Sequence, residues 1–343
     1  MGIRRLFIFT IILAMAVSLT SSLNSEAASV ADFYRGKTVE VYVGVSPGGG
    51  YSTFAQILVN YLGKHIPGKP TVIVKHMPGA AGMKALNFVY NAAPKDGSVL
   101  ITPNSGGTRR YVLGLGKPKY NPSKFNWLGG WGEPVFILTV LNTAPVKTLQ
   151  EAMETEVILG SIGKTGNTYQ NPSLINNTLG TKFKIIPGYR GGSRVRLAME
   201  KGEVHGWFGQ YMGWKSRKPE WIREGKLVHL VQISRKTLPE LKDVPQLTDF
   251  AKNDEQRKMF EFVKSGMEDR TFAAPPGVPA DRLVALEKAY MDTLNDPEFR
   301  AQAAKKKYEI NPLTAQEVRD VVKEMMAVSP EFVVKIRKAM GLK

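Results

Sequence analysis

A loop of three consecutive glycines offers the most specific chemistry in this sequence. The loop, Pro47 to Ser52, follows an alternating apolar run at Val39 to Val45 and precedes a segment with helical apolar periodicity. Glycines let backbone N–H groups approach a ligand closely, and the unpaired N–H groups at a helix N-terminus carry partial positive charge. The pattern therefore predicts a strand, a loop and a helix that together bind an anion.

A second loop of the same design lies further along the chain. Val157 to Ile162 is a short apolar run, and the polar loop Gly163 to Thr168 separates it from a predicted helix at Tyr169 to Leu179. Two segments therefore each direct a polar loop and a helix N-terminus towards a ligand. This duplication predicts a small molecule held between two lobes.

Strand patterns alternate with helix patterns in the first part of the chain, and each predicted strand ends in a loop of small residues. The strand Thr71 to Lys75 precedes the loop Met77 to Gly82, and the strand Ser98 to Thr102 precedes a loop at Pro103 to Gly107. Such alternation is typical of a parallel sheet, which binds its ligands at the carboxyl ends of its strands. We therefore predict an α/β fold in which each lobe is a mostly parallel sheet flanked by helices.

Two crossing segments are predicted to join the lobes. A strand at Pro134 to Leu141 leaves the first lobe, and Phe272 to Pro279 returns to it. The first lobe is accordingly assigned to residues 28–134 and 270–343, and the second lobe to residues 135–269. We expect the lobes to close on a ligand about these crossings.

The N-terminal residues predict export. Arg4 and Arg5 precede an apolar run from Leu6 to Val17, which is followed by polar and small residues. This pattern is typical of a secretory signal peptide, assigned to residues 1–27, and predicts a periplasmic location. The sequence contains no Cys, so we expect neither a lipid-anchored N-terminal cysteine nor a disulfide.

The formal net charge of +17 favours anionic ligands. The basic residues are scattered rather than interleaved with aromatic residues, so no nucleic-acid partner is predicted. The four histidines, His65, His76, His205 and His229, lack the spacing of zinc ligands. We therefore expect no metal and no cofactor.

Ser46 raises the alternative of a secreted α/β hydrolase. Gly44, Ser46 and Gly48 match the spacing of a hydrolase nucleophile turn. The oxyanion hole of such enzymes needs the N–H group of the next residue, and Pro47 has none. We therefore predict a non-enzymatic protein and keep a Ser46 esterase as the alternative.

Several short motifs are each weak evidence alone, but their order along the chain is specific to one family. They are Tyr34 to Lys37, Pro47 to Tyr51, Met77 to Ala80, Ala93 to Gly97, Gly188 to Gly192, Gly202 to Val204 and Ala274 to Pro279. In this order the sequence resembles the extracytoplasmic solute receptors of tripartite tricarboxylate transporters, the TctC or Bug proteins. The resemblance implies a type II-like periplasmic binding protein that captures a small carboxylate and delivers it to membrane permease subunits. We expect it to act as a monomer.

The resemblance also implies which loops bind the ligand. In relatives, the loops that match Pro47 to Ser52 and Pro78 to Gly82 hold one carboxylate, largely through backbone N–H groups and water, and the loop that matches Ser161 to Thr168 holds the other end. Many relatives have Asp where this chain has Ser52 and His205. The loss of two acids disfavours an amino group on the ligand.

The loop patterns and the resemblance together predict one set of ligand-binding residues. The set is Pro47, Gly48, Gly49, Gly50, Tyr51, Ser52, Pro78, Gly79, Ala80, Asn104, Ser105, Ser161, Lys164, Thr165, Gly166, Asn167, Thr168 and His205. Two members have an alternative interpretation. His205 could instead be a hydrogen-bonded strand residue without a ligand, and Lys164 could be a solvated loop charge.

Overall fold

The computed structural model of the protein describes residues 30–48, 50–103, 106–132, 134–189, 191–235, 237–265, 270–306 and 308–342. The predicted signal peptide at residues 1–27 lies outside these ranges. Gly49, Asn104 and Ser105, three of the predicted site residues, also lie outside them.

Short strands and longer helices alternate along the chain. In chain order the strands are β1 Thr38–Val43, β2 Thr71–His76, β3 Val99–Thr102, β4 Asn126–Gly130, β5 Phe136–Leu141, β6 Val157–Ser161, β7 Phe183–Pro187, β8 Gly206–Gln210, β9 Leu227–Ile233 and β10 Thr271–Ala274. The helices are α1 Gly50–His65, α2 Met83–Asn91, α3 Gly107–Val112, α4 Glu151–Glu154, α5 Asn167–Leu179, α6 Gly192–Glu200, α7 Tyr211–Arg217, α8 Pro219–Arg223, α9 Asp254–Ser265, α10 Ala280–Asn295, α11 Pro297–Lys305, α12 Ala315–Met326 and α13 Pro330–Ala339. Within the described ranges, no helix has the length and apolarity needed to cross a membrane.

The strands form two separate five-stranded sheets. The first has the order β2-β1-β3-β10-β4 and the second has the order β7-β6-β8-β5-β9. In the first sheet β1 is parallel to β2 and β3, and β10 is antiparallel to its neighbours. In the second sheet β6 is parallel to β7 and β8, and β5 is antiparallel to its neighbours. The predicted α/β fold of two mostly parallel sheets flanked by helices is therefore confirmed.

The link between β4 and β5 orients the two sheets. Strand β4 ends at Gly130, and β5 begins at Phe136, which pairs with Gln210 at the carboxyl end of β8. Because β8 is parallel to β6, the link enters the second sheet at the edge where β6 and β8 end. The carboxyl edges of both sheets therefore face this short link, and the loops after β1 and β2 lie across a cleft from the loop after β6.

An aromatic cluster in the first lobe anchors this link. The ring of Trp131 lies 4.1 Å from that of Phe54 on α1 and 5.1 Å from that of Phe299 on α11. The Phe54 ring also contacts Phe272 on β10 at 5.8 Å. Full burial of each such side chain contributes about 1.5–3 kcal/mol. Trp131 therefore holds the start of the link firmly in the first lobe.

The C-terminal helix packs on the second lobe. The Asn177 side chain of α5 donates a hydrogen bond to the Ala339 carbonyl at 2.8 Å, and Ile336 and Met340 belong to the hydrophobic core of the second sheet. The predicted division of the chain assigned these residues to the first lobe. The division itself stays a prediction, but α13 packs against the core of the second sheet.

Candidate functional site

The loops after β1 and β2 form one continuous surface. A Cβ atom at Gly44 would lie 2.5 Å from the Cα atom of Gly82, so the two backbones are in direct contact. The Met77 N–H group also donates to the Val43 carbonyl at 2.9 Å. Gly44 and Gly82 therefore allow the two loops of the first lobe that are predicted to bind an anion to lie side by side.

Ser52 is positioned by a residue that the sequence did not single out. Its side chain is fully buried in the first turn of α1, and its Oγ atom lies 2.8 Å from His76 Nε2 at the end of β2. When the imidazole carries its proton on Nε2, it donates to Ser52 Oγ and leaves the serine hydroxyl hydrogen for another acceptor. Ser52 and His76 therefore form a donor pair at the N-terminus of α1.

The other described residues of these loops are accessible. Pro47, Gly48, Gly50, Pro78, Gly79 and Ala80 are exposed, and Tyr51 is half-buried. Ala80 has a φ of 47°, a left-handed conformation that costs a non-glycine residue about 1–3 kcal/mol. Backbone strain of this kind is typical of ligand-binding loops.

Side-chain hydroxyls shape the loop of the second lobe. Ser161 and Thr168 are both buried, and their hydroxyl oxygens lie 3.0 Å apart. Thr168 Oγ1 also accepts a hydrogen bond from the Ile162 N–H group at 3.2 Å. These contacts close the loop from Ser161 to Thr168 and hold it at the N-terminus of α5, where unpaired N–H groups favour an anion.

The tip of this loop is polar and accessible. Lys164 and Thr165 are exposed, whereas Gly166 and Asn167 are half-buried. Gly166 caps α5, and its N–H group donates to the Gly163 carbonyl at 3.2 Å. Because the Lys164 side chain is exposed, its charge is accessible to a ligand in the cleft or to solvent.

Hydrogen bonds also connect the two lobes beside the cleft. Arg109 on α3 is buried, and its Nη1 atom donates to Asn171 Oδ1 on α5 at 3.2 Å. Arg270, next to β10, donates from Nη2 to Gln210 Oε1 at the end of β8, also at 3.2 Å. These contacts set the distance between the two groups of loops.

A cavity opens at the end of the cleft next to the link. It has an empty volume of about 540 Å³, part of it open to solvent, and its lining includes Trp131, Val135, Gln210, Tyr211 and Arg270. Burial raises the pKa of the Tyr211 phenol, which therefore stays neutral. The cavity extends the cleft with aromatic walls and a few polar groups.

His205 does not join the other predicted site residues. It precedes β8, and its Nδ1 atom accepts a hydrogen bond from the Ile158 N–H group at 3.0 Å. Ile158 lies three positions before Ser161 on β6, and each strand residue advances about 3.3 Å. His205 therefore lies about 10 Å from the loop edge of the sheet, and this placement favours the interpretation as a hydrogen-bonded strand residue.

Ser46, the alternative nucleophile, lies on the exposed turn after β1. No hydrogen bond links it to a histidine in the part of the chain that the structure describes. The histidine next to this loop, His76, is hydrogen-bonded to Ser52 instead. Among the described residues, no histidine is hydrogen-bonded to Ser46 as a general base would be.

Sequence patterns did not reveal three of the residues that shape the cleft. His76, Arg109 and Asn171 come together with their partners only through contacts between distant segments. The one local signal was that His76 ends a strand directly before a loop of small residues.

The chain matches a family model described as the tripartite tricarboxylate transporter family receptor, TctC, over residues 60–337. No curated protein matches the chain.

Several solved structures share the fold. A TctC solute-binding protein from Polaromonas, without ligand, has a TM-score of 0.69 and 18% identity over 89% of this chain and 99% of its own. MatC from Rhodopseudomonas palustris with bound malate has a TM-score of 0.63 and 21% identity over 89% and 99%. A further R. palustris protein with adipate has a TM-score of 0.65 and 17% identity over 89% and 97%. At these identities the likeness establishes the common fold.

Proposed function

Because the chain belongs to the tripartite tricarboxylate transporter receptor family, we propose that it is a periplasmic receptor for a small organic anion. The receptor binds the anion between its lobes without chemical turnover and delivers it to the membrane subunits of a transporter. The chain itself acts as a monomer and needs no cofactor.

The observation that carries this proposal is the pair of helix N-termini on opposite sides of one cleft. Helix α1 begins in the glycine loop of the first lobe, and α5 begins in the hydroxyl-lined loop of the second. Each presents unpaired backbone N–H groups to the space between them. Because these donors are already oriented, they can stabilise a carboxylate without a rearrangement of the protein. Their interaction with the carboxylate is stronger when the lobes exclude water.

The polar groups of these loops favour an anion without an amino group. Ser52 and His76 supply hydroxyl and imidazole groups at the first loop, and Ser161 and Thr168 supply hydroxyls at the second. No described residue of the two loops is acidic, so an ammonium group would lack a partner there. Malate and adipate in two relatives of the same fold are acids of this kind.

A thermal-shift screen tests the proposal. The panel contains the dicarboxylates from malonate to adipate, malate, citrate, aromatic monocarboxylates, and aspartate as the matched acid with an amino group. We expect at least one acid without an amino group to raise the melting temperature by several degrees, and aspartate to have little effect. Hits are then incubated with the protein and analysed by NMR. The absence of any hit, or steady conversion of a hit that Ser46→Ala abolishes, would overturn the proposal.

A further inference from the structure

Arg196 is a buried cation close to the second-lobe loop. Its side chain on α6 is 7% exposed, and its guanidinium lies 5.5 Å from the ring of Trp207 and 6.0 Å from that of Trp214. Its hydrogen bond to a side chain is a long one, from Nη2 to Ser193 Oγ at 3.5 Å. Glu200, on the next turn of the helix, pairs with Lys218 instead. In the described ranges, no acid forms an ion pair with this arginine.

The groups around Arg196 are hydrogen-bond donors. The indole N–H groups of Trp207 and Trp214 are buried and have no acceptor in the described part of the chain. An indole nitrogen and a guanidinium can donate but cannot accept. Arg196 Nη1 lies 3.3 Å from the Cβ position of Gly192, the first residue of α6, where the helix N-terminus adds further positive potential. This cluster lacks an acceptor with negative charge.

The cluster lies next to the loop that faces the cleft. Val195, the residue before Arg196, packs on β6 so closely that a Cβ atom at Gly160 would lie 2.6 Å from its Cγ1 atom. The Tyr189 N–H group, just before α6, donates to the Ser161 carbonyl at 3.2 Å. The first turns of α6 therefore cover the end of β6 that carries the Ser161 to Thr168 loop.

We propose that Arg196, together with the indole N–H groups of Trp207 and Trp214, forms an oxyanion subsite that receives a second acid group of the ligand. The inference rests on the proposed function and specifies the ligand as a dianion, with one acid group at the glycine loop and the other at this subsite. A cation that is buried without an acid is costly, and a ligand oxyanion supplies the missing acceptor. Burial, assisted by the positive charge of Arg217, lowers the pKa of the Arg196 guanidinium, and the carboxylate of Glu200 opposes this effect only in part.

The alternative role for Arg196 is structural, as a cation stacked on two indoles. The two roles predict different effects of a neutral substitution on stability and on ligand affinity. If the arginine is structural, Arg196→Met lowers the melting temperature of the ligand-free protein and leaves affinity unchanged. If it is an anion subsite, the same variant keeps or gains stability, because an unpaired buried charge is removed, and it loses affinity for the dianion.

The test uses the dicarboxylate that gives the largest thermal shift, together with its half-amide, which has the same shape but one charge fewer. Calorimetry should show that the wild-type protein binds the dicarboxylate about 10- to 100-fold more tightly than the half-amide. This is the effect expected of one charged hydrogen-bonding group. Arg196→Met should reduce this preference to about threefold or less and Arg196→Lys should retain part of it. Arg194→Met is the matched control, since Arg194 is exposed on the same helix, and it should keep the wild-type preference.

Each outcome bears on the proposal. Equal affinity of the wild-type protein for the acid and its half-amide, or an unchanged preference in folded Arg196→Met, would overturn the subsite while the proposed receptor function stands. A panel without any hit would overturn both. Trp207→Phe keeps the aromatic ring but removes one indole donor, so it should weaken dicarboxylate binding severalfold and half-amide binding little.

Discussion

In the proposed site, the two lobes offer an anion different kinds of hydrogen-bond donors. In the first lobe the donors are mainly backbone groups, made accessible by glycine loops whose backbones touch at Gly44 and Gly82. In the second lobe side chains dominate, with the hydroxyls of Ser161 and Thr168 at the loop and Arg196 buried behind it. Backbone donors recognise any carboxylate, whereas side chains can be exchanged without altering the chain path. We propose that the first lobe captures carboxylates in general and that the second lobe selects among them.

Gly44→Val should separate the two touching loops of the first lobe and cause the largest loss of ligand affinity. The new side chain would meet the backbone of Gly82 at 2.5 Å, and overpacking of this kind costs about 1–3 kcal/mol or more. Because the two loops would separate, we expect carboxylate affinity to fall by about 100-fold or more. The melting temperature of the ligand-free variant is the control for folding. Titration calorimetry measures the affinity, and wild-type affinity in Gly44→Val would contradict the role of the touching loops.

As the pH falls, the second lobe should begin to lose stability at a higher pH than the first lobe. His229 on β9 is hydrogen-bonded to Thr139 Oγ1 at 2.9 Å, and burial lowers its pKa to about 4. An unfolded histidine titrates near pH ~6.5, so below that pH the unfolded state binds a proton that the folded state does not. The free energy of unfolding should therefore fall by roughly 2 kcal/mol between pH 7.5 and pH 5. In the first lobe, burial would raise the pKa of Asp296, but hydrogen bonds from Lys64 and His65 outweigh it and lower the pKa. The contribution of Asp296 to the free energy of unfolding is therefore lost only as the pH falls below about 4.

Urea unfolding at several pH values checks this difference. His229→Gln should remove most of the loss between pH 7.5 and pH 5, because its side chain does not titrate. Asp296→Asn should leave the slope in that range unchanged. A wild-type slope in His229→Gln would show that another group causes the acid sensitivity.

The hydroxyls of the two loops should differ in importance. Thr168→Val keeps the side-chain shape but leaves Ser161 Oγ and the Ile162 N–H group without their partner. We expect about tenfold weaker ligand binding, equivalent to ~1.4 kcal/mol. Ser52→Ala removes one hydroxyl from a loop whose backbone donors remain, so the loss should be about threefold. Equal losses, measured by calorimetry, would argue against the proposed division between backbone and side-chain recognition.

Lys164 tests whether exposed charge contributes to selection. Its side chain is exposed at the tip of the second loop, where a charge pair is worth about 0–1 kcal/mol and is screened by salt. Lys164→Ala should weaken binding about threefold at low ionic strength and hardly at all in half-molar salt. An equal loss at both salt concentrations would indicate a direct, desolvated contact.

The smallest effect is expected at His205, whose Nδ1 atom is bonded to the Ile158 N–H group. Because this contact lies about 10 Å from the loop edge, the charge introduced by His205→Asp should change carboxylate affinity by less than about twofold relative to His205→Ala. Markedly weaker binding of a dicarboxylate to His205→Asp would show that this residue faces the ligand.

Sequence periodicity predicted the elements that carry the first-lobe loops, because β1 and α1 have regular apolar patterns. It missed β4, whose sequence ends in Gly129 and Gly130. Gly129 has a φ of 137° and a Cβ there would meet the Leu313 carbonyl at 2.8 Å, so packing rather than strand propensity explains this glycine. A pattern of side chains cannot reveal such a constraint.

The sequence predicted which loops form the site, but it did not predict which side chains contact one another there. The loops Pro47 to Ser52 and Gly163 to Thr168 were predicted from their glycine and polar residues at helix N-termini, and the family resemblance extended the second loop back to Ser161. Arg196 was not anticipated, because arginine is normally exposed, yet it lies between Val195 and Met199 on the buried side of α6. His205 was placed at the site by resemblance, and the register of β8 with β6 moves it away from the loop edge.

A single ligand held between the lobes is tested most directly by calorimetric titration of one dicarboxylate hit into the wild-type protein, Gly44→Val and Arg196→Met. We expect one molecule bound per wild-type chain and a large loss of affinity in both variants, because the acid bridges donors from both lobes. Two molecules bound per chain, or full affinity in either folded variant, would contradict a single ligand held between the lobes.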